Sequence, residues 1–137
     1  MEERTLQIKA EDGNLQEVLR FLDAALEECG CPMKAQMQLE IAVEELFVNI
    51  ARYAYPNEAQ DAEVSIALGN DGIAQITFSD SGVPYDPLAK PDPDISLSAE
   101  ERPIGGLGIY MVKKSVDDMR YERRDGKNIL SVFKKVR

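Results

Sequence analysis

The spacing of apolar residues changes period along the chain, and each change marks a separate element. Residues 5–9 alternate between polar and apolar side chains, which predicts a short strand. Residues 15–26 carry apolar side chains at helical spacing. Asn14 precedes them as a predicted N-cap, and Glu17 stands where a capping box requires it. Gly30 then ends this first helix.

The second helix is long for a small domain. It begins at Pro32, which suits a first helical turn, and continues to about Tyr55. Two polar residues, Glu45 and Asn49, interrupt a middle section that is apolar on every side. The apolar positions are Ile41, Val43, Leu46, Phe47, Val48, Ile50 and Ala51. Residues one turn apart share a helix face, so the polar pair projects together, while Glu44 is rotated by about 100° toward solvent.

The period becomes two after this helix. Residues 64–68 and 74–78 alternate on either side of a turn at 69–72, which predicts a β-hairpin. Five of the seven prolines in the chain lie between residues 84 and 103. Apolar periodicity disappears over 85–104, and a loop of this length in a small domain is typical of a lid or a disordered segment. We therefore predict a flexible lid at 85–104.

Glycines open a third helix, and a last hairpin follows it. The segment G-G-L-G at 105–108 leads into an apolar helical pattern, and strands at 119–124 and 128–136 flank a D-G turn. The predicted element order is β-α-α-β-β-lid-α-β-β. We predict one α+β domain over residues 1–137. It is a two-layer sandwich in which a mixed, mainly antiparallel sheet is covered on one face by three helices.

Composition and charge narrow the classes of function. Sixteen basic residues against twenty-five acidic ones give a net charge of −9, which argues against nucleic acid or an anionic membrane as partner. No apolar run approaches the roughly 20 residues of a membrane span, and the N-terminus lacks the pattern of a signal peptide. Cys29 and Cys31 are too few for a zinc site and suit reduced thiols at a helix corner. We expect a cytoplasmic protein.

The polar pair in the second helix offers a specific chemistry. The chain contains no histidine, so a general base must be a carboxylate, Lys, Tyr or Cys. Asn49 supplies a hard oxygen suited to Mg²⁺, which prefers few protein ligands together with phosphates and water. Glu45 could take a proton from an attacking hydroxyl or water. The alternative is an exposed polar edge on an ordinary amphipathic helix.

Two further motifs could contact a nucleotide. In D-S-G-V-P, Asp80 is an acceptor for an exocyclic amine such as that of adenine, and Gly82 lets the backbone approach a flat ligand. The alternative is a strand-terminal turn. The segment at 105–108 can turn backbone N–H groups toward phosphate oxygens at a helix start, or it can be a flexible hinge. Its residues are Gly105, Gly106, Leu107 and Gly108.

The motifs together resemble a known family. E-x-x-x-N on a long helix, D-x-G-x-P after a strand, a lid, and G-G-L-G before a helix resemble, in this order, the Bergerat-fold ATPases, which include gyrase and histidine kinases. The stretch G-L-G-I-Y-M-V-K-K-S-V-D-D-M-x-Y-E-R is similar to that of the anti-sigma factor serine kinases within them. The resemblance extends from Leu6 to Val136.

The resemblance implies a role for each motif. Glu45 matches the helix carboxylate that acts as general base in the family, and Asn49 matches its Mg²⁺ ligand. Asp80 matches the adenine-reading carboxylate, and Gly82 matches the glycine beside it. The glycines of 105–108 match those that let the lid and the helix start surround the phosphates.

Two features depart from the family pattern. Many relatives carry a histidine four residues after the asparagine, where this chain has Tyr53. The lid is also rich in proline and acidic residues, which points to a different partner surface. The acidic residues are Asp86, Asp92, Asp94, Glu100 and Glu101.

The resemblance implies a cytoplasmic bacterial regulator that binds ATP and Mg²⁺. Its expected activity is phosphorylation of a serine on a small anti-sigma antagonist protein. A sigma factor is a second expected partner, and relatives commonly form homodimers.

Two other functions stay open. The first is a nucleotide-gated module that binds ATP and a partner without transferring phosphate, which the Tyr53 departure keeps open. The second is the catalytic domain of a split two-component kinase, which would need an acceptor histidine in another chain. A plain α+β domain, in which the polar pair and the glycines are incidental, is the remaining alternative.

Overall fold

A computed structural model describes residues 3–89 and 106–137. Its helices and strands are β1 (Arg4–Lys9), α1 (Leu15–Glu28), α2 (Met33–Tyr53), β2 (Asp61–Leu68), β3 (Ile73–Asp80), α3 (Gly106–Ser115), β4 (Asp118–Arg124) and β5 (Lys127–Lys135). Most of the predicted lid at 85–104 lies outside the described residues, and so does Gly105. Residues 87–89, at the start of that lid, form a short 3-10 helix.

The strands form one sheet in the order β1-β2-β3-β5-β4. The predicted α+β architecture and the order of the elements are confirmed. We expected a mixed, mainly antiparallel sheet, and every pairing between the described strands is antiparallel. The inward side chains of the sheet form one core with buried residues of all three helices, so the helices cover a single face.

The core centres on α2. Phe47 of this helix is fully buried, and so is Phe78 of β3. Burial of an aromatic side chain of this size contributes about 1.5–3 kcal/mol to stability, so α2 is held firmly against the sheet. Ile41, one of the apolar residues in the middle of α2, is 48% exposed, so the apolar side chains around this helix are not all buried.

Two predicted helix ends differ from the structure. The capping box before α1 is not formed, since the Asn14 amide nitrogen donates instead to the carbonyl of Lys9 at 2.8 Å. A short 3-10 turn at residues 12–14 brings this side chain back to the end of β1. Helix α2 ends at Tyr53, two residues before the predicted Tyr55. Tyr55 instead serves the next connection, because its hydroxyl donates to the carbonyl of Asp61 at 2.8 Å.

The corner between α1 and α2 contains both cysteines. Gly30 has a φ of 75°, a left-handed conformation that glycine adopts without strain. This lets the backbone N–H of Cys31 donate to the carbonyl of Leu26 at 3.0 Å and close the helix. Cys29 and Cys31 are free thiols, and burial raises the pKa of Cys31. In the described part of the chain, no helix is long and apolar enough to cross a bilayer.

Carboxyl groups meet where α1 packs on α2. Gln36 donates to a carboxylate oxygen of Asp23 at 3.1 Å. Burial, and then contact with Asp23, raises the pKa of Glu40 above its usual value. A carboxyl group whose pKa is raised by folding adds to stability below its unfolded pKa. That contribution is lost as the pH rises through the folded pKa.

We therefore expect Glu40→Gln to stabilise the protein at pH 8, because glutamine resembles the protonated acid. The melting temperature should rise by on the order of 2 °C at pH 8 and stay nearly unchanged at pH 4. Thermal unfolding followed by circular dichroism at the two pH values measures this. Glu44→Gln, on the exposed side of the same helix, is the matched control. A larger gain at pH 4 than at pH 8 would contradict the assignment.

Candidate functional site

A pocket lies between the C-terminal half of α2, the end of β3 and the start of β5. Its volume is about 460 Å³ when the space open to solvent is included. Its walls are mostly apolar and carry a few polar groups, which is the pattern by which ligand pockets orient a ligand. The lining residues include Leu46, Asn49, Ile50, Phe78, Asp80 and Asn128.

Asp80 is the charged group of this pocket. It ends β3, and only 6% of its surface is exposed. Its Oδ1 accepts hydrogen bonds from the backbone N–H of Gly82 and from the side-chain amide of Asn128, both at 2.9 Å. Among the described residues no donor binds Oδ2, so this oxygen can accept a hydrogen bond from a ligand. An exocyclic amine supplies such a donor.

Gly82 packs directly on the end of α2. A Cβ atom at this position would overlap the carbonyl oxygen of Ala54. The neighbouring Val83 N–H donates to the same carbonyl at 2.9 Å. The guanidinium of Arg123 donates to the carbonyl of Gly82 at 2.8 Å. The glycine is therefore required for close contact between the D-S-G turn and α2, whatever else it does.

The two polar residues predicted to act together on α2 lie in two neighbouring places. Glu45 and Asn49 are both half-buried, as expected for polar residues on a helix that packs against others. Asn49 lines the pocket. Glu45, by contrast, lies at the start of α3, where its carboxylate occupies the space that a Cβ atom on Gly108 would need. The two side chains therefore share a helix face, as predicted, but Glu45 is not among the described residues that line the pocket.

The glycine segment is described in part. Gly106 and Leu107 form the first turn of α3, and Gly108 follows them in the same turn. The first turn of a helix carries partial positive charge, which favours an anionic group such as the Glu45 carboxylate. Glycine at 108 permits this approach. The predicted convergence of N–H groups on phosphate stays a prediction.

Asn128 was missed by the sequence analysis. It is 7% exposed and faces Asp80 across the β3–β5 pairing. A signal was available, because Asn128 begins an inward series that continues with Leu130 and Val132. A polar residue in such a series needs buried partners. The phenol of Tyr121, also missed, supplies one by donating to Asn128 Oδ1 at 2.6 Å.

Tyr55 fixes the outer side of the same turn. Its hydroxyl accepts a hydrogen bond from the Ser81 N–H at 2.8 Å and donates to the carbonyl of Asp61 at 2.8 Å. Burial raises the pKa of Tyr55, the N–H of Ser81 partly offsets this, and the nearby Asp80 raises it further. The phenol therefore stays protonated at neutral pH and keeps its donor role.

The pocket residues suit a metal ion only when a bound ligand supplies further oxygen atoms to it. Within residues 3–89 and 106–137, no three His, Cys, Asp or Glu side chains cluster closely enough to hold a metal ion. The amide oxygen of Asn49 is a hard ligand of the kind that Mg²⁺ accepts. Mg²⁺ commonly takes one or two protein ligands and completes its shell with phosphate oxygens and water.

Comparison with known sequences gives one family and several relatives. The profile of the family described as histidine kinase-like ATPase domain matches residues 8–134. A protein of Bacillus cereus (strain AH187) named serine-protein kinase RsbW is 30% identical over 96 residues, which is 67% of this chain and 59% of that protein. A second protein of that name, from Bacillus cereus (strain AH820), is 31% identical over 97 residues. The chain therefore spans about three fifths of the length of these relatives.

Solved structures share the fold. The RsbU and RsbW domains of a Mycobacterium tuberculosis protein superpose with a TM-score of 0.72 at 16% identity, over 99% of this chain and 33% of that one. The histidine kinase domain of a blue-light activated histidine kinase from Erythrobacter litoralis gives 0.56 at 14% identity, over 94% and 62% of the two chains. At these identities the likeness concerns the fold alone.

The contact between Gly82 and α2 can be tested directly. We expect Gly82→Ala to destabilise the protein by about 2–4 kcal/mol, because the added methyl group must displace the backbone of Ala54. Chemical denaturation measures the free energy of unfolding. Gly13→Ala is the control, since a Cβ there meets nothing within 4 Å and its φ is not positive. Equal stability of the two variants would show that the turn does not depend on this contact.

Proposed function

Since this chain belongs to the family of histidine kinase-like ATPase domains, we propose that it binds ATP in the pocket between α2, β3 and β5. We propose further that it transfers the γ-phosphoryl group to a serine of a small anti-sigma antagonist protein. The observation that supports this best is the carboxylate of Asp80, buried in a mostly apolar pocket with one oxygen open to a ligand donor. The resemblance to proteins named serine-protein kinase RsbW supports the choice of serine.

In this proposal Asp80 reads the base. Its Oδ2 accepts a hydrogen bond from the exocyclic amine of adenine. The aromatic ring of Phe78 and the side chain of Ile50 line the pocket and give the flat base an apolar surface to pack on. Gly82 brings the backbone of the D-S-G turn close to the ring without a side chain in between.

Asn49 holds Mg²⁺ in the proposed complex. When bound, the ion neutralises charge on the phosphate oxygens and orients them for transfer. In the proposed complex the glycines at 105, 106 and 108 let the backbone at the start of α3 approach the phosphates.

In the proposed chemical step, Glu45 acts as the general base. The serine hydroxyl oxygen of the antagonist attacks the γ-phosphorus in line and forms a new P–O bond. The bond from the γ-phosphorus to the bridging oxygen breaks, and ADP leaves with those electrons. Glu45 accepts the hydroxyl proton as the bond forms. The place of Glu45 at the start of α3, beside the pocket rather than in its wall, suits a group that meets the incoming protein substrate.

Further partners follow from the family resemblance alone. Binding of a sigma factor and pairing of two copies of this chain both stay predictions. A cytoplasmic location stays a prediction as well.

A second candidate function rests on a specific observation. Tyr53 stands where many relatives carry a histidine, and it is 56% exposed at the edge of the pocket. A chain that keeps the adenine pocket but cannot catalyse phosphoryl transfer would bind ATP and a partner without phosphorylating that partner. Labelled γ-phosphate separates these functions: label on a serine supports the kinase, and ATP binding without label on any partner supports the gated module.

We expect Glu45→Gln to lower phosphate transfer by at least about 100-fold, because it removes the proton acceptor. The dissociation constant for ATP should change by less than about 3-fold, since adenine and Mg²⁺ are bound elsewhere in the proposed complex. Single-turnover transfer and equilibrium binding measure the two quantities. Glu44→Gln, one residue away and exposed, should alter neither. Transfer by Glu45→Gln at the rate of the parent protein would remove the assigned role.

We expect Asn49→Ala to weaken ATP binding about 10-fold in the presence of Mg²⁺ and much less in its absence, because it removes the metal ligand. Titration of ATP by calorimetry, with Mg²⁺ and with a chelator, measures the difference. Asn49→Asp keeps an oxygen at the same place and should restore most of the metal-dependent binding. An equal loss with and without Mg²⁺ would count against a metal contact.

A further inference from the structure

We propose that Asn128 is a positioning residue that makes Asp80 selective for a 6-aminopurine over a 6-oxopurine. The inference rests on the proposed function, because it assumes that Asp80 faces the base of a nucleotide. Asn128 touches no reacting group. It acts through Asp80 and through the segment that follows it, residues 81–85.

All four hydrogen-bonding positions of the Asn128 amide are used. Its nitrogen donates to Asp80 Oδ1 at 2.9 Å and to the carbonyl of Val83 at 2.8 Å. Its oxygen accepts from the backbone N–H of Tyr85 at 3.2 Å and from the hydroxyl of Tyr121 at 2.6 Å. A side-chain amide has two donors and two acceptor positions, so its capacity is fully met.

These partners permit only one orientation of the amide. The N–H of Tyr85 can only donate, and the carbonyl of Val83 can only accept. Rotation of the amide by 180° would place donor against donor at Tyr85 and acceptor against acceptor at Val83. These two backbone partners therefore fix the amide with its nitrogen facing Asp80.

Selectivity follows from this fixed donor. With Asn128 and the N–H of Gly82 both donating to Oδ1, the carboxylate is held in one rotation and presents Oδ2 as an acceptor. A 6-amino group donates to such an oxygen, whereas a 6-oxo group places a second acceptor against it. A site built around an acceptor at the 6-position rejects a ligand that has no donor at that position, because a buried polar group is left unpaired.

A purely structural role for Asn128 is the competing explanation. Strands β3 and β5 are already paired in register from Ile73 to Asp80. On the opposite side of the sheet, Thr77 and Ser131 form another side-chain hydrogen bond across the same two strands, at 2.9 Å. Ser131→Ala therefore removes a cross-strand bond without touching the pocket, and it serves as a matched control.

The experiment measures dissociation constants for ATP and inosine triphosphate, which differ at the 6-position of the base. We expect the parent protein to favour ATP by at least about 10-fold. Asn128→Ala should weaken ATP about 10-fold and inosine triphosphate by less than about 3-fold, so that the preference collapses. Asn128→Asp, nearly the same size but with an acceptor toward Asp80, should weaken ATP further. Ser131→Ala should leave the preference unchanged.

Each result decides the question. An equal loss for both nucleotides in Asn128→Ala would mean a structural role and would overturn the proposal. If that variant does not fold, Tyr121→Phe tests the same point, because it removes one of the four bonds and should reduce the preference by a smaller factor. An unchanged preference there would overturn the proposal. A parent protein that binds neither nucleotide would refute the proposed function itself, and the inference with it.

Discussion

The burial of one carboxylate, Asp80, constrains much of this structure. A charged group with so little exposure must be given hydrogen bonds, or it costs several kcal/mol. The N–H of Gly82 provides one of them, and this requires the chain to turn at once after β3. The turn is close enough to α2 that only glycine fits against Ala54. Asn128 provides the other, and its remaining bonds hold residues 83 and 85. A single buried charge thereby links the end of α2, the D-S-G turn and β5.

The same link accounts for the shape of the pocket. The turn is held on both sides, by α2 and by Asn128 of β5, and the pocket lies between these elements. Phe78 is part of the central core and also a wall of the pocket. A wall shared with the close-packed core is rigid, which suits the recognition of the flat base proposed for this pocket.

Much of the fold, and part of the site, could be predicted from the sequence. The change of apolar period placed the two long helices and the central hairpin, and helix geometry put Glu45 and Asn49 on one face. Spacing within one helix does not specify what lies opposite each residue, however. The contact of Glu45 with Gly108 depends on how α3 packs on α2. Asn128 lies 48 residues from Asp80, so its role appears only once β3 and β5 are paired in register.

Asn49 and Glu45 lie in different places, and the two candidate functions differ in which of these residues they require. Asn49 and Asp80 lie in the pocket wall, and in the proposed function they bind the nucleotide without help from a second protein. Glu45 lies beside that wall, against the first turn of α3. Movement of α3 relative to α2 would alter the surroundings of Glu45 while leaving Asp80, Gly82 and Asn128 in place. A kinase and a gated binding module could therefore be built on the same pocket. What distinguishes them physically is whether the start of α3 leaves the Glu45 carboxylate free to accept a proton.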